Sequence, residues 1–209
     1  MDKGSIDRML TTQTIFFRRI FWRVYMRPAC MKLAKTLLLA MALALAAFPA
    51  WSAETRDPDE HFFALNTGDF KAEAADARRA GKKAIMVMFE QDGCPGCFYM
   101  RHNVLNRVDV QKFYDQNFAN FSLNIYGSIP IRDFAGRNFT EKSFSKSVDI
   151  IGTPTFLFYD LDGKEAMRFV GPLKEVSDFM LLGQFVASGA YKTSQFAEYK
   201  QRRTKKKGS

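Results

Sequence analysis

The chain has few of the side chains that most often bind metals in proteins. Its 209 residues include three cysteines and two histidines. Cys94 and Cys97 form a Cys-x-x-Cys pair, with His102 just after it and His61 distant in sequence. A zinc site needs about four ligands, and covalent haem attachment needs a histidine directly after the pair, where this chain has Phe98. The composition disfavours both sites, and we expect no metal and no cofactor.

The main apolar run is too short to span a membrane. It covers residues 37–48, about a dozen residues where a spanning helix needs roughly 20. A basic segment at 31–35 precedes it, and small residues follow it around Ser52. This is the order of a secretory signal peptide. We therefore expect export to the periplasm, with cleavage after Ser52 or after Ala53.

The residues before Met31 are unusual for a leader, because they add a long stretch of mixed aromatic and basic character. We expect translation to begin at Met31, with residues 1–30 as a non-native upstream extension and residues 31–52 as the signal peptide. A twin-arginine export motif at Arg18-Arg19 is disfavoured, since it lies far upstream of the apolar run. The mature protein would then keep only Cys94 and Cys97, in an oxidising compartment.

Clustered cations are missing from the body of the chain, although the formal net charge is +9. Residues 1–52 hold 8 Lys/Arg and 2 Asp/Glu, and residues 200–207 hold 6 Lys/Arg and no acid. Residues 53–199 hold 17 Lys/Arg and 20 Asp/Glu, a net charge of −3. A nucleic-acid-binding face needs clustered cations on the folded surface, so nucleic acid is not an expected partner. Residues 200–209 are expected to be a basic, disordered tail.

Apolar runs, turns and caps predict one α/β domain over residues 53–199, with no internal repeat or low-complexity linker dividing it. The predicted helices cover 69–80, 97–106, 108–118, 140–148 and 173–187. The predicted strands cover 83–89, 119–126, 155–159 and 165–170. Residues 127–139 have no clear period and are expected to form an insertion or loop. This order predicts a central mixed sheet flanked by helices, with parallel strands followed by a hairpin.

The cysteine pair follows a predicted strand and precedes a predicted helix, an arrangement suited to disulfide exchange. Free backbone N–H groups and the dipole at a helix start favour the thiolate of Cys94, and the thiolate is the form that attacks disulfides. Cys97 can then attack the mixed disulfide formed on Cys94 and release the substrate. Cys94 is the predicted nucleophile and Cys97 the predicted resolving thiol. A purely structural disulfide is disfavoured, because so short a loop stabilises little.

With this pair after one apolar strand and Thr153-Pro154 before another, the chain resembles the thioredoxin superfamily over roughly residues 60–188. Three segments are most similar to the periplasmic SoxW-type thioredoxins of sulfur-oxidising systems: 89–95 (Phe-Glu-Gln-Asp-Gly-Cys-Pro), 123–128 (Leu-Asn-Ile-Tyr-Gly-Ser) and 152–155 (Gly-Thr-Pro-Thr). The resemblance implies a thioredoxin-like fold with an insertion before a cis-proline loop.

The same resemblance implies a substrate-binding groove beside the dithiol. Pro154 would be cis and would shape this groove, while the backbone of Thr153 would pair with a bound polypeptide. Pro95 and Gly96, between the two cysteines, are the other predicted substrate-binding residues. A cis X-Pro bond is uncommon enough to need such a functional reason.

The chain departs from thioredoxin at two positions beside the dithiol. Met88 stands where thioredoxin has a buried aspartate, so proton transfer to or from Cys97 cannot be assigned to that position. Glu90 is the nearest carboxylate in sequence and becomes the candidate for this role, with a plain surface acid as the alternative. The inner dipeptide is Pro-Gly where thioredoxin has Gly-Pro, and this region helps to set the redox potential in the superfamily.

These features predict a periplasmic thiol-disulfide oxidoreductase, and the SoxW-type resemblance implies that it reduces disulfides of secreted partner proteins. The SoxW-type resemblance implies that a membrane thiol shuttle supplies its electrons, and we expect the protein to be a monomer. Two alternatives stay open. The protein could be an oxidase or isomerase of secreted disulfides, or a copper or zinc carrier that uses the dithiol as ligands.

Overall fold

The computed structural model of the protein describes residues 54–207. The predicted upstream extension and signal peptide lie outside the described residues. Among residues 54–207, no helix combines the length and the apolar character that crossing a membrane requires.

Two sheets and the helices around them make up the described part of the chain. The strands are β1 (Ala84–Glu90), β2 (Phe118–Asn124), β3 (Pro130–Arg132), β4 (Asn138–Thr140), β5 (Thr155–Tyr159) and β6 (Glu165–Val170). The α-helices are α1 (Pro58–His61), α2 (Phe70–Arg79), α3 (Pro95–Met100), α4 (Val108–Asn117), α5 (Glu141–Ser147), α6 (Val176–Ala187) and α7 (Phe196–Lys207). A π-helical turn (Arg101–Leu105) follows α3, and a short 3-10 helix (Ala190–Lys192) follows α6.

The larger sheet has the strand order β2-β1-β5-β6. β1 pairs with β2 in parallel and with β5 antiparallel, and β5 pairs antiparallel with β6. Parallel neighbours need a crossover connection, and the chain makes it through α3 and α4. The predicted mixed sheet with a closing hairpin is therefore confirmed. The cysteine pair leaves the sheet at the carboxyl end of β1, one of its two inner strands.

Side chains of β1 alternate between two cores, as the pleat of a strand requires. Met86 and Met88 pack on the face covered by α3, α4 and α6, in a cluster that also contains both cysteines. Ile85, Val87 and Phe89 pack on the opposite face, under α2 and α5. Burial on both faces explains why β1 is continuously apolar in sequence.

Helix α2 has the boundaries that its sequence predicts. The Asp69 carboxylate accepts the Ala72 N–H at 3.0 Å and caps the first turn. Gly81, with a φ of +72°, follows the last helical turn, a conformation that glycine adopts without a steric penalty. Helix α5 likewise begins at the predicted cap, since the Thr140 side chain accepts the Ser143 N–H at 3.2 Å.

Residues 127–139 are more ordered than the predicted loop. They contain β3 and the start of β4, which form a separate two-stranded antiparallel sheet. The Asp133 carboxylate organises the turn between them by accepting the N–H groups of Ala135 and Arg137 at 3.0 and 2.7 Å. Strands of three residues are too short for a period-2 pattern to appear in sequence, so the sequence does not predict this hairpin.

The carboxyl-terminal region also differs from the sequence prediction. Helix α7 extends to Lys207, whereas the sequence predicts a basic, disordered tail from residue 200. Tyr199 is buried, and its ring centroid lies 5.2 Å from that of Phe185 in α6. Lys200 donates a hydrogen bond from Nζ to Asp178 at 2.6 Å. These contacts with α6 hold α7, and the local charge pattern carries no information about them.

Candidate active site

Cys94 lies between the end of β1 and the first turn of α3. It is the N-cap residue of α3, and Pro95 occupies the first helical position, where its fixed φ suits the helix and its missing N–H costs nothing. Gly93, at a φ of +70°, makes the turn that precedes it. Helix α3 begins two residues before the predicted start at Cys97.

The two cysteines are joined by a disulfide, with their Cα atoms 5.3 Å apart. The backbone N–H of Cys97 donates to the sulfur of Cys94 at 3.1 Å. After reduction, this donor and the start of α3 would stabilise a negative charge on Cys94. Cys94 is 8% exposed and Cys97 only 3%. The geometry suits attack by Cys94 on an incoming disulfide, with Cys97 behind it as the second thiol.

The loop before β5 lies directly against the cysteine pair. The Thr153–Pro154 peptide bond is cis, as the sequence resemblance implies. A Cβ atom on Gly96 would lie only 2.9 Å from Cδ of Pro154 and 3.5 Å from Cδ of Pro172. Carbon atoms in contact prefer about 3.5–4.0 Å, so the absence of a side chain at Gly96 allows this close approach.

The backbone around Pro154 leaves one predicted pairing position open. The Pro154 carbonyl accepts the Gly171 N–H at 2.8 Å, and the Thr155 hydroxyl donates to the Gly152 carbonyl at 2.7 Å. Within residues 54–207, the N–H and carbonyl of Thr153 make no hydrogen bond. The loop that contains Thr153 and Pro154 thus lies against Gly96, the neighbour of Pro95, beside the dithiol.

A cavity of about 930 Å³ opens beside the two cysteines. Cys94 and Cys97 line it together with residues from the ends of β1 and β2 and from the segment that leads into α5. The charged residues that line it are four acids and one arginine: Asp59, Glu90, Asp92, Glu141 and Arg101. Space for a bound group is thus available on the side of the dithiol where Glu90 lies.

Glu90, the candidate for proton transfer, lines this cavity, but both of its carboxylate oxygens accept hydrogen bonds. Nε of Arg101 donates to Oε2 at 2.9 Å and Nη2 donates to Oε1 at 2.5 Å, while the Ser122 hydroxyl also donates to Oε1. Nη1 of Arg101 donates to Asp59 at 2.7 Å. The hydrogen bond with Glu90, ahead of that with Asp59, raises the pKa of Arg101 above its ordinary value. The pair fixes Glu90 in place and keeps both of its oxygens engaged.

Two residues singled out by the sequence have no part in this network. Met88 is fully buried within β1 and brings no ionisable group to the site. His102 is exposed and stacks on Phe98 with the ring centroids 3.9 Å apart, as expected of a residue on the helix surface. No group of three or more His, Cys, Asp or Glu side chains in residues 54–207 is placed to hold a metal ion.

The sequence did not point to several residues of the cavity wall, among them Arg101, Ser122 and Glu141. Arg101 lies four residues after Cys97, in the helical turn that follows α3, so its nearness in sequence was a weak indication that it lies close to the dithiol. Ser122 and Glu141 lie on other elements, and only the pairing of β1 with β2 and the packing of α5 bring them to the site. No motif marks either residue.

The family comparison identifies the domain. The sequence model of the thioredoxin-like domain family matches residues 70–179. This is just over half of the chain and covers the segment from α2 into α6. A search of curated proteins finds no match.

The likeness to one of the solved structures supports the same fold. A thioredoxin-fold protein from Helicobacter pylori matches with a TM-score of 0.53 and 17% identity, over 60% of this chain and 86% of its own. A Thermus thermophilus thioredoxin matches with a TM-score of 0.45 and 20% identity, over 60% and 85%. The oxidised C-terminal domain of DsbD from Neisseria meningitidis matches with 0.44 and 20%, over 60% and 98%. With its mixed sheet, its flanking helices and the family match over residues 70–179, the chain belongs to the thioredoxin-like domain family.

Proposed function

We propose that this protein is an exported thiol-disulfide oxidoreductase that reduces disulfides of partner proteins in the periplasm. The observation that carries the proposal is the position of Cys94 at the start of α3, with its sulfur accepting the Cys97 N–H at 3.1 Å. This N–H group stabilises a thiolate at Cys94. The sulfur of Cys97 is close enough to form a disulfide with Cys94. Structural disulfides do not need that arrangement, whereas disulfide exchange does.

Reduction of a partner proceeds in two exchanges. The Cys94 thiolate attacks one sulfur of the partner disulfide, which breaks that bond and forms a mixed disulfide while the partner's other sulfur leaves as a thiolate. Cys97 then attacks the Cys94 sulfur, forms the Cys94–Cys97 disulfide and releases the second partner sulfur. Two electrons have passed from the dithiol to the partner, so each cycle needs a new electron pair.

The partner polypeptide lies across the loop that contains Pro154. The open N–H and carbonyl of Thr153 pair with its backbone, as in β-strand addition. Phe98 in α3 and Ile151, two residues before Thr153, are 64% and 88% exposed, and exposed apolar surface of this kind is common at sites of protein association. Pro95 and Gly96 form the floor next to the reacting sulfurs.

Export determines the source of electrons. Residues 31–52 act as a signal peptide cleaved near Ser52, which places the dithiol in a compartment without a cytosolic reductant. A membrane thiol shuttle then reduces the Cys94–Cys97 disulfide. The motifs around Cys94, Asn124 and Pro154 support a SoxW-type protein of this kind. We propose that it works as a monomer.

Trapping tests the assigned roles. The Cys97→Ser variant should accumulate a covalent mixed disulfide between Cys94 and its partner, because the second exchange is removed. The Cys94→Ser variant should form no adduct, which makes it the matched control. Adducts would be isolated from extracts of the exported fraction and identified by mass spectrometry. Absence of any reducible adduct on Cys97→Ser would show that the roles are wrong.

The direction of electron flow has its own test. Equilibration with glutathione buffers would place the dithiol on the potential scale, where thioredoxin lies near −270 mV and the strong oxidant DsbA near −120 mV. A value close to the first supports the reductase. A strongly oxidising value would favour an oxidase or isomerase, and purified protein with stoichiometric copper or zinc and no insulin reduction would favour a metal carrier.

A further inference from the structure

An acidic side chain with no sequence motif lines the cavity that contains the dithiol. Glu141 is the first residue of α5 and is 5% exposed. Its Oε1 accepts the Asn124 N–H at the end of β2, at 3.2 Å. A Cβ atom on Gly127 would overlap its Oε2, so glycine at that position leaves the space that the carboxylate occupies.

The second exchange has a proton to remove, because Cys97 attacks only as a thiolate. Cys97 is 3% exposed, so little water reaches this residue except through the cavity that it lines. Met88 cannot accept a proton. Both oxygens of Glu90 already accept hydrogen bonds from Arg101, so protonation there would break a two-point ion pair. Neither Met88 nor Glu90 therefore suits the task.

Glu141 differs from Glu90 in having an available oxygen. Among residues 54–207, no cation forms an ion pair with it and no donor binds its Oε2. The carboxylate is nevertheless held in place through Oε1, and it lines the same cavity as both cysteines. A fixed carboxylate with one open oxygen, reached through a cavity wide enough for water, is suited to general base catalysis.

We propose that Glu141 is the proton acceptor for Cys97 in the second exchange, a role that rests on the proposed function. The Cys97 thiol passes its proton through water in the cavity to Oε2 of Glu141. The resulting thiolate attacks Cys94, the Cys94–Cys97 bond forms and the bond from Cys94 to the partner sulfur breaks. The partner leaves as a thiolate and takes up a proton, and Glu141 returns its own proton when the dithiol is reduced again.

The charges around Glu141 are few. The neighbouring ends of β1 and β2 bring Glu90, which is paired with Arg101, and the uncharged Ser122 and Asn124. Arg132 on β3 is paired with Asp69 at 3.2 Å. The described residues of β4 carry no charge. The other charged groups are Asp59 and Asp92 on the cavity wall and the exposed Lys142 and Lys146 on α5 itself.

The experiment follows both exchanges with a neutral small-molecule disulfide. Reduced protein is mixed with hydroxyethyl disulfide between pH 5 and pH 9, quenched with acid and analysed by mass spectrometry for the Cys94 adduct and for the internal disulfide. In Glu141→Gln, the amide oxygen can still accept the Asn124 N–H while the basic group is lost. Adduct formation should stay within twofold of wild type, whereas its resolution should slow by about a hundredfold or more at pH 7, so that the adduct accumulates.

The pH profile separates proton transfer from a structural role. The slowing in Glu141→Gln should be largest at low pH and should shrink towards pH 9, where hydroxide can take the Cys97 proton directly, and Glu141→Asp should restore the rate. Glu198→Gln removes one negative charge on α7, outside the cavity, and should match wild type in both steps. A wild-type resolution rate in Glu141→Gln would overturn the proposal. The same slowing in Asp92→Asn would also overturn it, because charge alone would then explain the effect.

This assay needs no physiological partner. If reduction of partner proteins fails while the resolution kinetics behave as described, the proposed function is wrong and the role of Glu141 stands.

Discussion

Gly96→Ala probes the close approach of the dithiol helix to the Pro154 loop. The added Cβ would lie 2.9 Å from Pro154 Cδ and 3.5 Å from Pro172, and both are rigid rings that cannot turn away. Overpacking of this kind costs about 1–3 kcal/mol. Restricting the unfolded chain by replacing glycine returns about 0.4–1 kcal/mol. We therefore expect a net loss of about 0.5–2 kcal/mol in the free energy of unfolding.

The loss of function should exceed the loss of stability. Relief of the clash moves the Pro154 loop away from Cys94, and displacements of about 1 Å at a reacting centre can cost up to a hundredfold in rate. We expect insulin reduction to slow by about tenfold. Urea unfolding gives the stability difference, and a turbidity assay gives the rate.

Gly152→Ala is the matched stability control, since it lies two residues before Pro154. A Cβ there would meet its nearest neighbour, Val170, at 3.8 Å, an ordinary contact distance. Its unfolding free energy should equal or slightly exceed that of wild type. If Gly96→Ala were as stable and as active as wild type, the packing that we assign to Gly96 would be refuted.

Two further predictions concern the carboxylates of Glu90 and Asp69. Glu90→Gln leaves Arg101, whose side chain is 21% exposed, with Asp59 as its remaining ion-pair partner. The free energy of unfolding in urea should fall by about 1–3 kcal/mol. Glu54→Gln is the control: it breaks the exposed ion pair with Arg56 and should lower that free energy by less than about 1 kcal/mol. Asp69→Ala removes the cap of α2 and should cost about 1 kcal/mol at pH 7. The Ala72 N–H holds the pKa of Asp69 below its ordinary 3.8, so this stabilisation is present above that pH and is lost as the pH falls through the lower, folded-state value. The difference between wild type and Asp69→Ala should narrow between pH 4 and pH 2, and a constant difference would contradict this reading.

The sequence by itself determined the local features of the site. The alternation and length of apolar runs predicted β1, β2, β5 and β6, because burial of a strand leaves a direct pattern in its residues. The spacing of Cys94 and Cys97 before a helix predicted the reactive pair, since two residues of separation are enough to bring the sulfurs together. The caps of α2 and α5 were also readable, because a capping side chain acts within its own helical turn.

Only the tertiary structure decided what surrounds the dithiol. Sequence proximity suggested Glu90 as the carboxylate for proton transfer, but in the fold it accepts hydrogen bonds from Arg101 and Ser122. Glu141 reaches the cavity because α5 packs against the end of β2, 17 residues away in sequence. Such contacts depend on strand register and helix packing rather than on any local pattern. The same reason explains why the hairpin within residues 127–139 and the helical carboxyl-terminal segment were not predicted.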